Sequence, residues 1–278
     1  MNALRLSASR VAGIAANTFR ETVRQRFVPV LSSAAAALVV VGSWLGDCSL
    51  GAPPTKLLLD AGFGALTFFG AVVAIVAAAE SFYGEIERRS VLAVLAKPVR
   101  RGEFLLGKLL GVSGLLLAFC AVGTGLLIGL VGWRHTASGN PLAVEASALQ
   151  RASIAAVVSC GFVQWLRCSL LSAMTLLVST YARSSLLAMA AGFAGLAICS
   201  VRCLACDAFQ TAGSGWARGL VQFLGCLVPD FDLYDVADGV AGGGSLSAGY
   251  LAGIALYSAC YGGVFVALAV HAFRHREL

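Results

Sequence analysis

Apolar residues in this chain come in long, nearly charge-free runs, and that single feature removes most folds from consideration. A run of about 18 or more such residues is too long for an ordinary core helix and long enough to cross about 30 Å of hydrocarbon. No water reaches the backbone there, so each run must bond its own N–H and C=O groups as a helix. A β-barrel would instead show short segments of alternating apolar and polar residues, a pattern this sequence lacks. Composition agrees: 12% of residues are charged and 59% are hydrophobic, where a soluble domain carries about 25% charge.

The chain therefore reads as an all-α integral membrane protein, a bundle of six transmembrane helices forming one domain over 1–278. The spans fall at about Phe27–Leu45, Ala61–Phe82, Phe104–Trp133, within Ala152–Tyr181, Ser185–Val201 and Tyr250–Phe273. Residues 1–26 interleave Arg5, Arg10, Arg20, Arg24 and Arg26 with Leu4, Leu6, Val11, Ile14 and Phe19. That pattern predicts a basic amphipathic helix on an anionic membrane surface, and no cleavage site follows to make it a signal peptide. Two loops are large, 83–103 and 202–249. Within the second, Trp216–Val228 is apolar but too short to cross, so a re-entrant or interfacial element is expected before the last span. Gly242, Gly243, Gly244 and Ser245 make a flexible connector into that span.

Lys and Arg set the orientation. With the N-terminus cytoplasmic, fourteen of the twenty basic residues lie inside, five lie outside, and Arg167 falls within the fourth span. Both termini are expected inside. The net charge of +6 then reflects anchoring to the inner leaflet rather than nucleic-acid binding, because the basic residues are scattered along membrane borders and no recognition motif accompanies them.

Several motifs weaken on inspection. Gly102–Lys108 fits the first seven positions of a phosphate-cradling loop, but Leu109 stands where Ser or Thr should hold magnesium and no strand precedes it. Gly107 and Gly111, then Gly125 and Gly129, permit close helix approach within one chain or between two. Cys203 and Cys206, with Cys199 before them, could form a disulfide in an oxidising outer compartment. A zinc site would want four ligands, and the three histidines (His135, His271, His275) lie far off in sequence, so no metal is expected. The bland alternative is that the nine cysteines pack as small apolar residues. Arg167 costs about 2.5–3.5 kcal/mol at a bilayer centre, which marks it as a functional suspect. It also lies about two turns from the outer surface if the span ends at Tyr181, within snorkelling reach.

The most informative stretch runs from Glu80 to Glu103. Ser90–Ala96 can form a short amphipathic helix stopped by Pro98, with acidic residues before it and basic ones after, as its dipole favours. An apolar helical face rimmed by charge at the membrane border suits a partner protein or the lipid surface itself. Glu85 and Glu87, Arg88-Arg89, an apolar turn, Lys97-Pro98-Val99, Arg100-Arg101 and Leu106-Gly107-Lys108 resemble the permease subunits of type-2 ABC transporters. The resemblance is closest to the branch that includes permeases linked to copper-enzyme maturation. Val228-Pro229-Asp230-Phe231-Asp232-Leu233, Tyr257, Tyr261 and Phe273–Glu277 are similar to the same family. Each motif is loose, and their order and spacing carry the likeness over nearly the whole chain.

The resemblance implies a permease of a bacterial inner membrane that pairs with a second copy, identical or related, and binds no cofactor. ATP hydrolysis would lie on a separate ABC ATP-binding subunit, docked on a coupling helix within Glu85–Ala96. Glu85 and Glu87 would offer it charges, and Val91, Leu92 and Leu95 would fill its cleft. The cysteine content and Arg167 depart from the family pattern. Two other classes compete. A non-transporting membrane anchor would use the same loop to hold partners. A membrane-embedded enzyme would need a His-Glu-x-x-His, a nucleophile elbow or a His cluster, all of which the sequence lacks.

Overall fold

The computed structural model describes residues 2–25, 27–45, 54–87, 101–137, 143–212, 228–241 and 246–274. Every regular element among them is helical: α1 (Asn2–Val23), α2 (Phe27–Leu45), α3 (Pro54–Glu87), α4 (Arg101–Ala137), α5 (Ala143–Tyr181), α6 (Ser185–Ala212), a 3-10 turn (Asp232–Tyr234), α7 (Ala237–Ala241) and α8 (Ala248–Arg274). Among the described residues, five stretches are long and apolar enough to cross a membrane: Lys56–Tyr83, Gly102–Trp133, Ile154–Tyr181, Ser185–Arg202 and Ala248–Ala272. The α1–α2 pair, bent by 66°, makes a sixth if it is counted as one broken span. This is the expected all-α membrane bundle.

Local chemistry explains where the helices begin and end. Pro54 opens α3, where its missing N–H costs nothing, so this helix starts seven residues before the expected span. Ser184 Oγ accepts the Leu187 N–H at 3.3 Å and caps α6, and Ser247 Oγ caps α8 by accepting the Tyr250 N–H at 3.2 Å. Pro29 sits in the first turn of α2, where the missing donor is tolerated.

Helices α3, α4 and α5 pack on one another, with α2 on α3, α6 on α5 and α3, and α8 on α5 and α4. Few hydrogen bonds tie them across, as expected where lipid already solvates apolar surface. Trp165 Nε1 donates to the Ser113 carbonyl at 3.0 Å, the Ser113 and Ser169 hydroxyls lie 3.1 Å apart, and Thr67 Oγ1 donates to Gln164 Oε1 at 3.3 Å.

The two glycine pairs of α4 have different fates. A Cβ at Gly107 would lie 2.7 Å from Ile14 Cγ2, and one at Gly111 would lie 2.7 Å from the Ala15 carbonyl oxygen. The first pair therefore lets α1 settle against α4 within the same chain. The apolar face of α1, read from the sequence as facing the membrane surface, has a protein neighbour: Val11, Ile14, Ala15 and Phe19 are half-buried and Thr18 and Thr22 buried, while Ser9, Arg10, Ala12, Gly13 and Arg20 stay exposed. Among the described residues, nothing lies within 4 Å of a Cβ at Gly125 or Gly129.

The segment 228–241 folds back on α3 and α5. Phe231, Tyr234, Val236 and Val240 are buried there. Of the expected re-entrant stretch Trp216–Val228, all but Val228 lies outside the described residues, as do Gly242–Ser245.

Candidate coupling site at the ends of α3 and α4

The loop singled out by the sequence joins α3 to α4, and its two roots are the last turns of one and the first turns of the other. Glu85 and Glu87 continue α3 in helical conformation, with only their backbone described. Val91, Leu92 and Leu95 lie outside the described residues. What the structure gives is the base on which that loop stands.

A separate apolar cluster forms this base. Ala79, Phe82 and Tyr83 of α3 pack with Phe104 and Leu105 of α4, Leu176 of α5, Ala182, Ala188 of α6 and Ala269 of α8. Five helices thus meet beside the loop. Tyr83 Oη donates to the Ser179 carbonyl at 3.2 Å, pinning α3 to the end of α5.

Lys108 stands inside this base and is wholly buried. Its Nζ donates to the Ser81 carbonyl oxygen of α3, and lies 4.8 Å from the Phe104 ring centroid and 6.0 Å from that of Phe82. An ammonium out of water is costly unless it is bonded. A carbonyl and two ring faces supply charge-assisted hydrogen bonding and cation–π attraction. One α4 side chain therefore ties both roots of the loop together. Read from the sequence, Lys108 counts only as a basic border residue. Its placement one helical turn after Phe104 is a faint signal that it faces inward with that ring.

Arg167 lies midway along the Ile154–Tyr181 span, about three turns of α5 from Ser179. Its guanidinium carbon sits 5.3 Å from the Phe231 ring centroid, so the 228–241 segment meets the intramembrane charge. Arg202, which closes the apolar span Ser185–Arg202 of α6, pairs with Asp230 at 3.5 Å. Tyrosines of α8 hold the segment: the Asp230 N–H donates to Tyr257 Oη at 2.9 Å, Tyr250 Oη donates to the Leu233 carbonyl at 2.9 Å, and the Tyr234 and Ser258 hydroxyls lie 2.6 Å apart. Burial pushes the Tyr234 phenol up to about 12, partly offset by the Ser258 hydrogen bond. Sequence reading missed this set of contacts, although the spacing of Tyr250, Tyr257, Tyr261 and Phe265 places an aromatic stripe on one face of α8.

Cys203 and Cys206 lie in the continuous helix α6, with only their backbone described. Cys120, Cys160, Cys168 and Cys199 are buried free thiols and Cys260 is an exposed one. Among the described residues no group of three or more His, Cys, Asp or Glu side chains is placed to hold a metal.

A comparison with curated proteins finds no match. Residues 7–202 match the family model described as ABC-2 family transporter protein. That range runs from the amphipathic helix through the loop and its base to the end of the Ser185–Arg202 span, well over half of the chain, and the chain belongs to the ABC-2 family of transporter proteins.

Proposed function

We propose that this permease is the membrane half of an ATP-driven exporter whose ATPase is a separate subunit, docked on the 83–103 loop. The observation that carries the reading is the Lys108-centred base. A loop that transmits force needs roots that cannot slide past each other, and here a buried ammonium and a five-helix cluster hold them. The basic bias favours both termini on the cytoplasmic side of a bacterial inner membrane, which puts the loop in reach of ATP. The unfilled faces of Gly125 and Gly129 suit a second permease copy across α4.

Force would enter through Glu85–Ala96. Glu85 and Glu87 meet the ATPase electrostatically, and Val91, Leu92 and Leu95 fill its cleft. Burying each such aliphatic chain is worth about 1.5–3 kcal/mol, so two of them decide whether the subunits stay together. The test is co-purification of an ABC ATPase with the chain and with a Leu92→Asp, Leu95→Asp double variant. Wild type should retain the ATPase, and the variant should lose it while still inserting, because no apolar run is touched. Retention by the variant would overturn the docking assignment. Failure of any ATPase to bind wild type would turn the reading to a membrane anchor.

A further inference from the structure

Two guanidiniums meet adjacent residues of the 228–241 segment, and among the described residues they have fewer acceptors than donors. Arg167 makes no hydrogen bond or ion pair among the described residues; its one close partner is the Phe231 ring. Arg202 Nη1 is buried and makes no hydrogen bond among the described residues, and its ion pair with Asp230 Oδ2 spans 3.5 Å. The other Asp230 oxygen is engaged, since Oδ1 accepts the Asp232 N–H at 3.1 Å. Arg167 faces Phe231 and Arg202 pairs with Asp230, the residue before Phe231, so both guanidiniums meet the same turn of the 228–241 segment. Nearby hydroxyls bring Arg167 no acceptor: Tyr257 Oη receives the Asp230 N–H, and Tyr234 pairs with Ser258. Asp235 forms no ion pair with Arg167 among the described residues.

A buried donor without a hydrogen-bond acceptor is costly, and Arg202 Nη1 is such an atom. The Phe231 ring of the 228–241 segment covers part of the Arg167 guanidinium. A guanidinium offers a planar fork that fits two oxygens of one anion at once. Arg167 is nonetheless partly exposed, so a ligand can reach it.

We propose that Arg167 and Arg202 form a site for a phosphate group, bounded by α5, α6 and the 228–241 segment. The assignment rests on the transporter reading for its meaning, where it makes the cargo a phosphate-bearing molecule. The phosphate could belong to a free solute or to a lipid headgroup, and both offer the same oxygens.

The full chain in dodecyl maltoside micelles, which carry no phosphate, is titrated with inorganic phosphate at constant ionic strength, with chloride as control, and its thermal unfolding midpoint is followed. A parallel arm adds phosphatidylglycerol to the micelles. Wild type should show a saturable rise beyond that with chloride in at least one arm. Response to free phosphate alone identifies a solute; response to phosphatidylglycerol alone identifies a headgroup. Arg167→Gln and Arg202→Gln should each weaken the apparent affinity about ten- to a hundredfold, the value of one charge-assisted contact. Arg167→Lys should fall between, keeping the charge without the fork. If Arg167→Gln fails to fold, Arg167→Lys and Arg202→Gln decide. No response beyond chloride in either arm, or variants that respond as wild type does, would overturn the site. No ATPase is needed for this readout. Arg-dependent anion binding without ATPase docking would leave the site standing and remove the transporter reading; docking without anion binding would do the reverse.

Discussion

Replacing Lys108 by Met asks whether the base of the 83–103 loop depends on one charge. The Met side chain nearly preserves length and volume, so the five-helix cluster should remain filled. The loss is the charge-assisted bond to the Ser81 carbonyl, worth about 1.5–3 kcal/mol, and cation–π attraction to Phe104 and Phe82, worth about 0.5–2 kcal/mol. Against this stands the cost of burying the ammonium, several kcal/mol, which the variant no longer bears. These quantities are of similar size, so thermal stability should change little, by less than about 2 kcal/mol. The tie between the roots of the loop should nevertheless be gone. Spin labels at Glu87 and Gly102 would report it: the distance distribution should be narrow in wild type and broad in Lys108→Met. A variant that keeps the narrow distribution and full ATPase-coupled transport would refute the bracing role. A loss of stability well above about 5 kcal/mol would show that the ammonium contributes far more than its desolvation costs.

Other tests address separate parts of the account. In a cysteine-free background, single cysteines at Thr55, Ser138 and Ser245 should react with an impermeant reagent in intact cells, and those at Ser90 and Ser184 only after permeabilisation; labelling of Ser90 in intact cells reverses the orientation. Gly111→Leu should force α1 away from α4, since even a Cβ would meet the Ala15 carbonyl at 2.7 Å, and should cost about 1–3 kcal/mol as overpacking in a thermal melt; an unchanged melt contradicts the packing of α1. The Tyr234 phenol is raised to about 12, so its stabilising effect should be complete below the unfolded value of about 10 and lost as pH rises through 12. Tyr234→Phe should flatten that alkaline loss, and an identical pH profile would contradict it. Replacing Cys203 and Cys206 by Ala should leave folding unchanged if they only pack; a quantitative disulfide in the oxidised protein, found by alkylation and mass analysis, would show otherwise.

The spans were legible because a bilayer imposes a length and polarity rule that each helix must meet by itself. The glycine pairs show where such legibility stops. Gly107 and Gly111 look the same in sequence as Gly125 and Gly129, yet only the first pair meets a helix of the same chain, because the choice of neighbour is a tertiary fact. Lys108 was hidden for a related reason. Basic residues gather at cytoplasmic borders, and only packing reveals one turned inward between two rings. Arg167 was visible as an anomaly, but its neighbour Phe231 is 64 residues away in the chain, and no periodicity links a loop to a helix face. Glu85, Glu87, Val91, Leu92 and Leu95 remain assigned by resemblance and by the character of the loop.

The central claim is that ATP hydrolysis on another subunit is coupled through this chain. The direct measurement is ATP turnover by the purified ABC ATPase, alone and reconstituted with the chain in proteoliposomes, comparing wild type with Lys108→Met. Wild type should change the rate of hydrolysis and make it respond to candidate phosphate-bearing substrates, while Lys108→Met should bind the ATPase but lose that response. Hydrolysis that is the same with and without the wild-type chain would contradict the account.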